Sequence, residues 1–108
     1  MKPRVVADYR TMLWAYVFFP AVALVPYASP RLLGPMLPLA LYVGFCAGVF
    51  AHNHNHCPVF RLRSMNGLHA AWISVFYGHP TFVWVPTHNQ NHHRFLNRPG
   101  DATITWRY

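Results

Sequence analysis

The chain has 108 residues, of which 54% are hydrophobic and only 10% charged, with nine Lys and Arg against two acidic residues and a net charge of +7. An average soluble domain carries about 25% charged residues, and a basic excess of this kind points to nucleic acid or to a membrane surface. Two stretches without charge, Thr11–Pro30 and Leu32–Ala51, decide between them, because each is 20 residues long, about what a helix needs to span a bilayer, and nucleic acid is excluded as a partner.

Residues 1–10 form a short basic arm. The first apolar run is long for a signal sequence and is interrupted by Pro20 and Pro26, so a retained helix over Thr11 to Ala28 is predicted rather than a cleaved leader. Trp14, Tyr16 and Tyr27 stand near its ends, as interfacial aromatics do. Pro20 is placed to kink it. Ser29-Pro30-Arg31 begins a tight turn, and a second helix runs from about Pro35 or Pro38 to His52 or beyond. Gly44 and Gly48 are four apart on it, a spacing that permits close helix packing. The two spans, 11–30 and 32–51, make a hairpin. Lys2, Arg4, Arg10, Arg61, Arg63, Arg94, Arg98 and Arg107 fall on one side of it and Arg31 alone on the other. By the positive-inside rule the N-terminus and residues 52–108 are then cytoplasmic. Cys46 and Cys57 stand eleven apart in no CxxC pattern, so a disulfide framework is not expected.

After the hairpin, Asn66–Pro86 is long enough to span, but Gly78-His79-Pro80 breaks it, and crossing would place three arginines outside. A helix from about Ser64 to Tyr77 lying in the interface is predicted instead. Leu68, Trp72, Val75 and Phe76 form its apolar stripe, with Ile73 and Tyr77 off it.

Six of the eight histidines fall in two clusters, His52-Asn53-His54-Asn55-His56 and His88-Asn89-Gln90-Asn91-His92-His93. Residues i and i+4 share a helix face, so His52 and His56 can aim at one point, as can His88 and His92, while His93 reaches a second point nearby. His54 lies on the opposite face and is a possible sixth ligand. Imidazole-rich sets favour Fe, Zn, Cu or Ni. A zinc-protease HExxH needs a glutamate, and the chain has none. The interspersed Asn and Gln side chains are candidates to accept the ring N–H of a ligand histidine. His69 and His79 read as interfacial polar residues, and Cys57 as an inert thiol.

The two boxes, in this order and placement, resemble those of the membrane fatty acid desaturases. His52 to His56 is similar to that family's first box. The run Trp84-Val85-Pro86-Thr87-His88-Asn89-Gln90-Asn91-His92-His93-Arg94-Phe95 is similar to its second box and surroundings. The likeness covers about residues 40 to 101, with the hairpin alike in topology only. It implies an all-α membrane protein: a transmembrane helical hairpin followed by a cytoplasmic, interfacial helical segment that carries the boxes. It implies a di-iron centre on His52, His56, His88, His92 and His93 that uses O₂ to oxidise an acyl chain, with no catalytic residue beyond the ligands. It also implies an external electron donor such as a ferredoxin or cytochrome, and a lipid, acyl-carrier or CoA-linked substrate. The second box reads HxxxHH, one residue longer than the commonest desaturase form and shared with related hydroxylases and ketolases. The family has a third box after two further spans, so a missing C-terminal half is expected as a partner and this chain alone is expected to be inactive. The competing reading of the same histidines is a small membrane protein that binds Zn, Cu or Ni.

Overall fold

A computed structural model describes residues 3–104; Lys2 and Arg107, two of the charges in the hairpin argument, lie outside the described residues. Helices account for the architecture, and no strand forms among the described residues. Helix α1 runs over Asp8–Ala28. A 3₁₀ turn at Pro30–Leu32 leads into α2, Leu33–His56. Helix α3 is Arg63–Tyr77. Helix α4 is π-wound over Val85–His92 and α-helical over His93–Phe95. Helix α1 and the turn-plus-α2 unit Pro30–His56 are long and apolar enough to cross a membrane. At 1.5 Å per residue they measure roughly 30 and 40 Å.

The basic arm is shorter than 1–10 and is not free. The α1 helix begins at Asp8, an acidic residue suited to a helix N-terminus. Before it, the Arg4 backbone N–H donates to the Val59 carbonyl (2.8 Å) and the Arg4 Nε–H to the Phe60 carbonyl (3.0 Å). The chain start is thereby tied to the loop that follows the first box.

Pro20 leaves a local mark on α1 that the sequence hides. It has no N–H, and helix α1 widens to π geometry over Trp14–Phe18 just before it. The Phe19 N–H is given to the Trp14 carbonyl, and Pro20 has none to give. The Ala15 carbonyl thus lacks its usual helical donors, and the Trp72 indole N–H of α3 supplies one at 2.6 Å. One residue along, the Tyr16 hydroxyl lies 2.7 Å from His69 Nδ1. Tyr16 is therefore a tether between α1 and α3 rather than a headgroup-facing aromatic.

The core is Phe19 and Val22 of α1, Val43, Ala47 and Ala51 of α2, and Ile73 of α3. Small residues on α2 do permit close approach, but they are Ala47 and Ala51. Gly48 instead receives the Tyr77 ring, whose Cε2 would stand 3.0 Å from an added Cβ, and an added Cβ at Gly44 would meet nothing within 4 Å. On α3 the buried face carries His69 and Ile73, with Phe76 partly buried, whereas Leu68 and Val75 are exposed. The face turned to the bundle is thus not the predicted interfacial stripe, whose Leu68 and Val75 are left exposed, and a histidine that reads as polar is core. Gly78, left-handed at φ 73°, ends α3.

Candidate metal centre

The first box occupies the last turn and a half of α2, in regular α geometry. His52 and His56 come together as i,i+4 neighbours, ring centroids 4.7 Å apart. The second box reaches the same place from α4. His88 lies 4.5 Å from His52 and 5.4 Å from His56, centroid to centroid. The ligand atoms of His52, His56 and His88 all lie within 4.8 Å of one another. His93 completes the group, with its Nε2 3.2 Å from His88 Nε2 and its ring 4.9 Å from that of His56.

The pairing within the second box differs from the i,i+4 expectation. Because Val85–His92 winds with i→i+5 hydrogen bonds, the ring nitrogen of His88 meets that of His93. The additional residue of HxxxHH suits this wider winding, which makes the five-residue step a neighbour. His92 turns aside. Its Nδ1 lies 2.8 Å from Asp101 Oδ2 and 3.0 Å from Thr103 Oγ1, and its ring stacks on His88 at 5.2 Å.

Two struts hold the boxes at this distance. The Asn55 amide donates to the carbonyls of Ala51 (3.0 Å) and Thr81 (3.2 Å), and the Asn89 amide donates to the Asn55 carbonyl (3.4 Å). These asparagines, together with Asn91, which donates to the Gly100 carbonyl, bond backbone rather than the ring N–H of a ligand histidine. The carboxylate that does meet a box histidine is Asp101, one of only two acidic residues in the chain; that scarcity, nine residues after His92, was the available signal.

Asp101 is fully buried. It also accepts from the Asn97 N–H (2.9 Å), the Thr103 N–H (2.8 Å) and the Thr103 hydroxyl (2.7 Å). Burial works against its charge, but the bonds from Thr103, Asn97 and His92 outweigh that and hold its pKa below the usual carboxylate range. The turn that presents it is strained, since Leu96 and Asn97 are both left-handed, at φ 47° and 62°. For a leucine this costs about 1–2 kcal/mol. Gly100, at φ 103°, closes the turn where an added Cβ would strike Phe95 at 2.9 Å.

His54 does not join the cluster, which corrects its candidacy as a sixth ligand. Its Nε2–H donates to the Asn66 carbonyl (3.1 Å) and its Nδ1 accepts from the Val59 N–H (3.4 Å), so both nitrogens are occupied. His69 is not interfacial either. It is 1% exposed, with its ring 4.9 Å from that of His54, and burial first, then the neighbouring His54, pushes its pKa down to about 4. His79 remains exposed.

The four clustered imidazoles fit a metal by chemistry and spacing. Two nitrogens each 2.0–2.1 Å from one ion stand about 2.8–3.4 Å apart across octahedral and tetrahedral angles, a range that includes the 3.2 Å His88–His93 separation. Burial and the adjacent His52, His93, His92 and His56 lower the pKa of His88, which favours the neutral, ligating form. Trp84 packs edge-on against both His52 and His88, at 5.5 and 5.2 Å. An open apolar groove of about 360 Å³ starts at His52 and Trp84 and runs along α2 past Gly48 to Gly44. On the other side of Trp84 and Tyr77, a cleft of about 470 Å³ is bordered by His88, Thr87 and His79. No protein-family model matches the chain, and no curated protein or solved structure does either.

Proposed function

We propose that this chain is the ligand-bearing front portion of a membrane iron enzyme that oxidises fatty acyl chains with O₂, a desaturase or a related hydroxylase. One observation carries the reading: two histidine boxes 32 residues apart in sequence, from His56 to His88, bring His52, His56 and His88 within 4.8 Å of one another, with His93 against His88, at the end of an apolar helix. The ligand set is these four with His92. Iron so held would supply the oxidising power to attack an unactivated C–H bond.

The chain's own residues would do the rest. The groove along Gly44 and Gly48 offers an apolar chain a path that ends at His52, and Trp84 shields the imidazoles on that side from water. The helix pair suits a bilayer. In the most apolar window of each, only 17% and 11% of residues are buried within the chain, whereas a core helix of a soluble protein would be mostly covered. Leu24, Leu41 and Phe45 are among the large side chains left bare. The eight-to-one basic asymmetry favours a multi-pass arrangement with boxes and N-terminus cytoplasmic. Electrons would come from a separate ferredoxin- or cytochrome-like donor. Five imidazoles do not fill two iron coordination spheres, so the reading includes a further segment with two spans and a third box.

A single-ion Zn, Cu or Ni site is the second reading, favoured by the convergence of three imidazoles on one point. Elemental analysis of the purified protein separates the two: about two irons per site, or one borderline ion. The functional test is gas chromatography of membrane fatty acids from a desaturase-deficient host. This chain alone is expected to add no unsaturated or hydroxylated acyl chains, and co-expression with the third-box segment is expected to add them, dependent on His92. If the pair yields none and the purified chain holds only zinc or copper, the enzyme reading fails.

A further inference from the structure

We infer that Asp101 is a positioning residue for the metal centre: it holds His92 in the Nδ1–H tautomer, so that Nε2 is the bare nitrogen available to a metal. The inference rests on the metal reading above and concerns a residue that the histidine pattern does not reveal.

A neutral imidazole carries its proton on one nitrogen, and the partner of the other nitrogen decides which one can ligate. His92 Nδ1 stands 2.8 Å from Asp101 Oδ2. A carboxylate accepts and does not donate, so the Nδ1 proton is fixed by this contact. Thr103 cannot reverse the assignment. Its hydroxyl donates to Asp101 Oδ1 at 2.7 Å, which leaves only its lone pairs for the His92 side at 3.0 Å. The carboxylate is itself immobilised. It is fully buried, and backbone N–H groups of Asn97 and Thr103 grip its two oxygens. The left-handed pair Leu96 and Asn97 brings the Asn97 N–H onto the carboxylate. A strained turn that delivers the chain's one buried acid to a box histidine is the kind of outlier from which a functional role is argued.

His92 therefore differs from the other four imidazoles. His88 and His93 have only each other as recorded ring-nitrogen partners among the described residues, and their tautomers are free to adjust when an ion arrives. His92 arrives preset, and a carboxylate behind it raises its basicity as a ligand.

The test is ¹⁵N NMR of the histidine side chains in the full chain in detergent micelles, with Zn²⁺ as the probe. In the metal-free wild type, His92 is expected to show a protonated Nδ1 and an imine-type Nε2. An Nε2–H tautomer there would overturn the inference without any variant having to fold. D101N keeps the size of the side chain but lets an amide N–H face Nδ1. It is expected to shift His92 toward the Nε2–H form and to weaken Zn²⁺ binding by about 10- to 100-fold. A purely structural acid would lower the melting temperature of D101N while leaving tautomer and affinity as they were, and that result also overturns the proposal. Failure of the underlying metal reading looks different: wild type, D101N and His56→Ala would all fail to bind Zn²⁺, and the positioning role would fall with it.

Discussion

Two groups of imidazoles sit within one helical bundle and have opposite fates. His52, His56, His88 and His93 stand at the open end of α2 and α4, half-buried or exposed, with their nitrogens turned toward one another. His54 and His69 lie buried on the inner side: both nitrogens of His54 are taken by Asn66 and Val59, and His69 Nδ1 by Tyr16, while His69 Nε2 is buried without a partner among the described residues. His54 is two residues from both His52 and His56. On α2 the two faces differ: the inner one bonds both nitrogens of His54 to backbone, and the outer one turns those of His52 and His56 toward His88.

The largest effects expected from this contrast are on metal. His56→Ala and His92→Ala should each remove most bound iron or Zn²⁺, by tenfold or more, with the melting temperature nearly unchanged for exposed His56 and lowered for His92, which partners the buried Asp101. His79→Ala should leave binding alone. Equal metal loss across all three, read by elemental analysis, would dissolve the distinction between the groups. The reverse pattern is expected of His69→Ala. It empties a buried site and strands the Tyr16 hydroxyl, so it should cost roughly 2–4 kcal/mol of stability, while folded protein still binds metal.

A smaller effect concerns pH. The His69 pKa falls to about 4 in the folded chain from an ordinary 6.5. The unfolded state therefore binds the proton that the folded state refuses between those values. The His69 contribution is fully present above pH 6.5 and is lost as pH falls toward 4. Melting curves across that window should slope downward on acidification, and His69→Gln should flatten the slope; an unchanged slope would show that His69 takes up its proton without unfolding the chain. Smallest is the pair of glycines. Gly48→Ala presses on Tyr77 and should cost up to about 1 kcal/mol, partly offset by alanine's better helix propensity. Gly44→Ala meets no atom within 4 Å and should be neutral or slightly stabilising in the same melting assay.

The helices of the hairpin and the convergence of the two boxes were legible in the sequence, because uncharged runs and i,i+4 spacing report local geometry. The partner of His88 was not. An i→i+4 and an i→i+5 winding carry the same residues, and Asp101, which holds His92, comes from beyond the box. The burial of His69 was hidden for a similar reason. Its partner Tyr16 is 53 residues away, so a periodicity count assigns it to the polar side. Distance in the chain, rather than weakness of the signal, separates what could be read from what could not.

The Ala15 carbonyl, without a helical donor ahead of Pro20, acts as a notch cut into α1, and the Trp72 indole is the key that fits it. Sliding α3 by one residue would withdraw that N–H and leave a bare carbonyl among apolar side chains, a penalty of about 1–3 kcal/mol. Uniform apolar surfaces resist sliding poorly, since one register is nearly as greasy as the next. A helix keyed at one point has an absolute axial position, and through the short links at Gly78 and Thr81–Val83 that position sets how far His88 stands from His52. The defect introduced by one proline thus serves as the datum from which the spacing of the two boxes is measured.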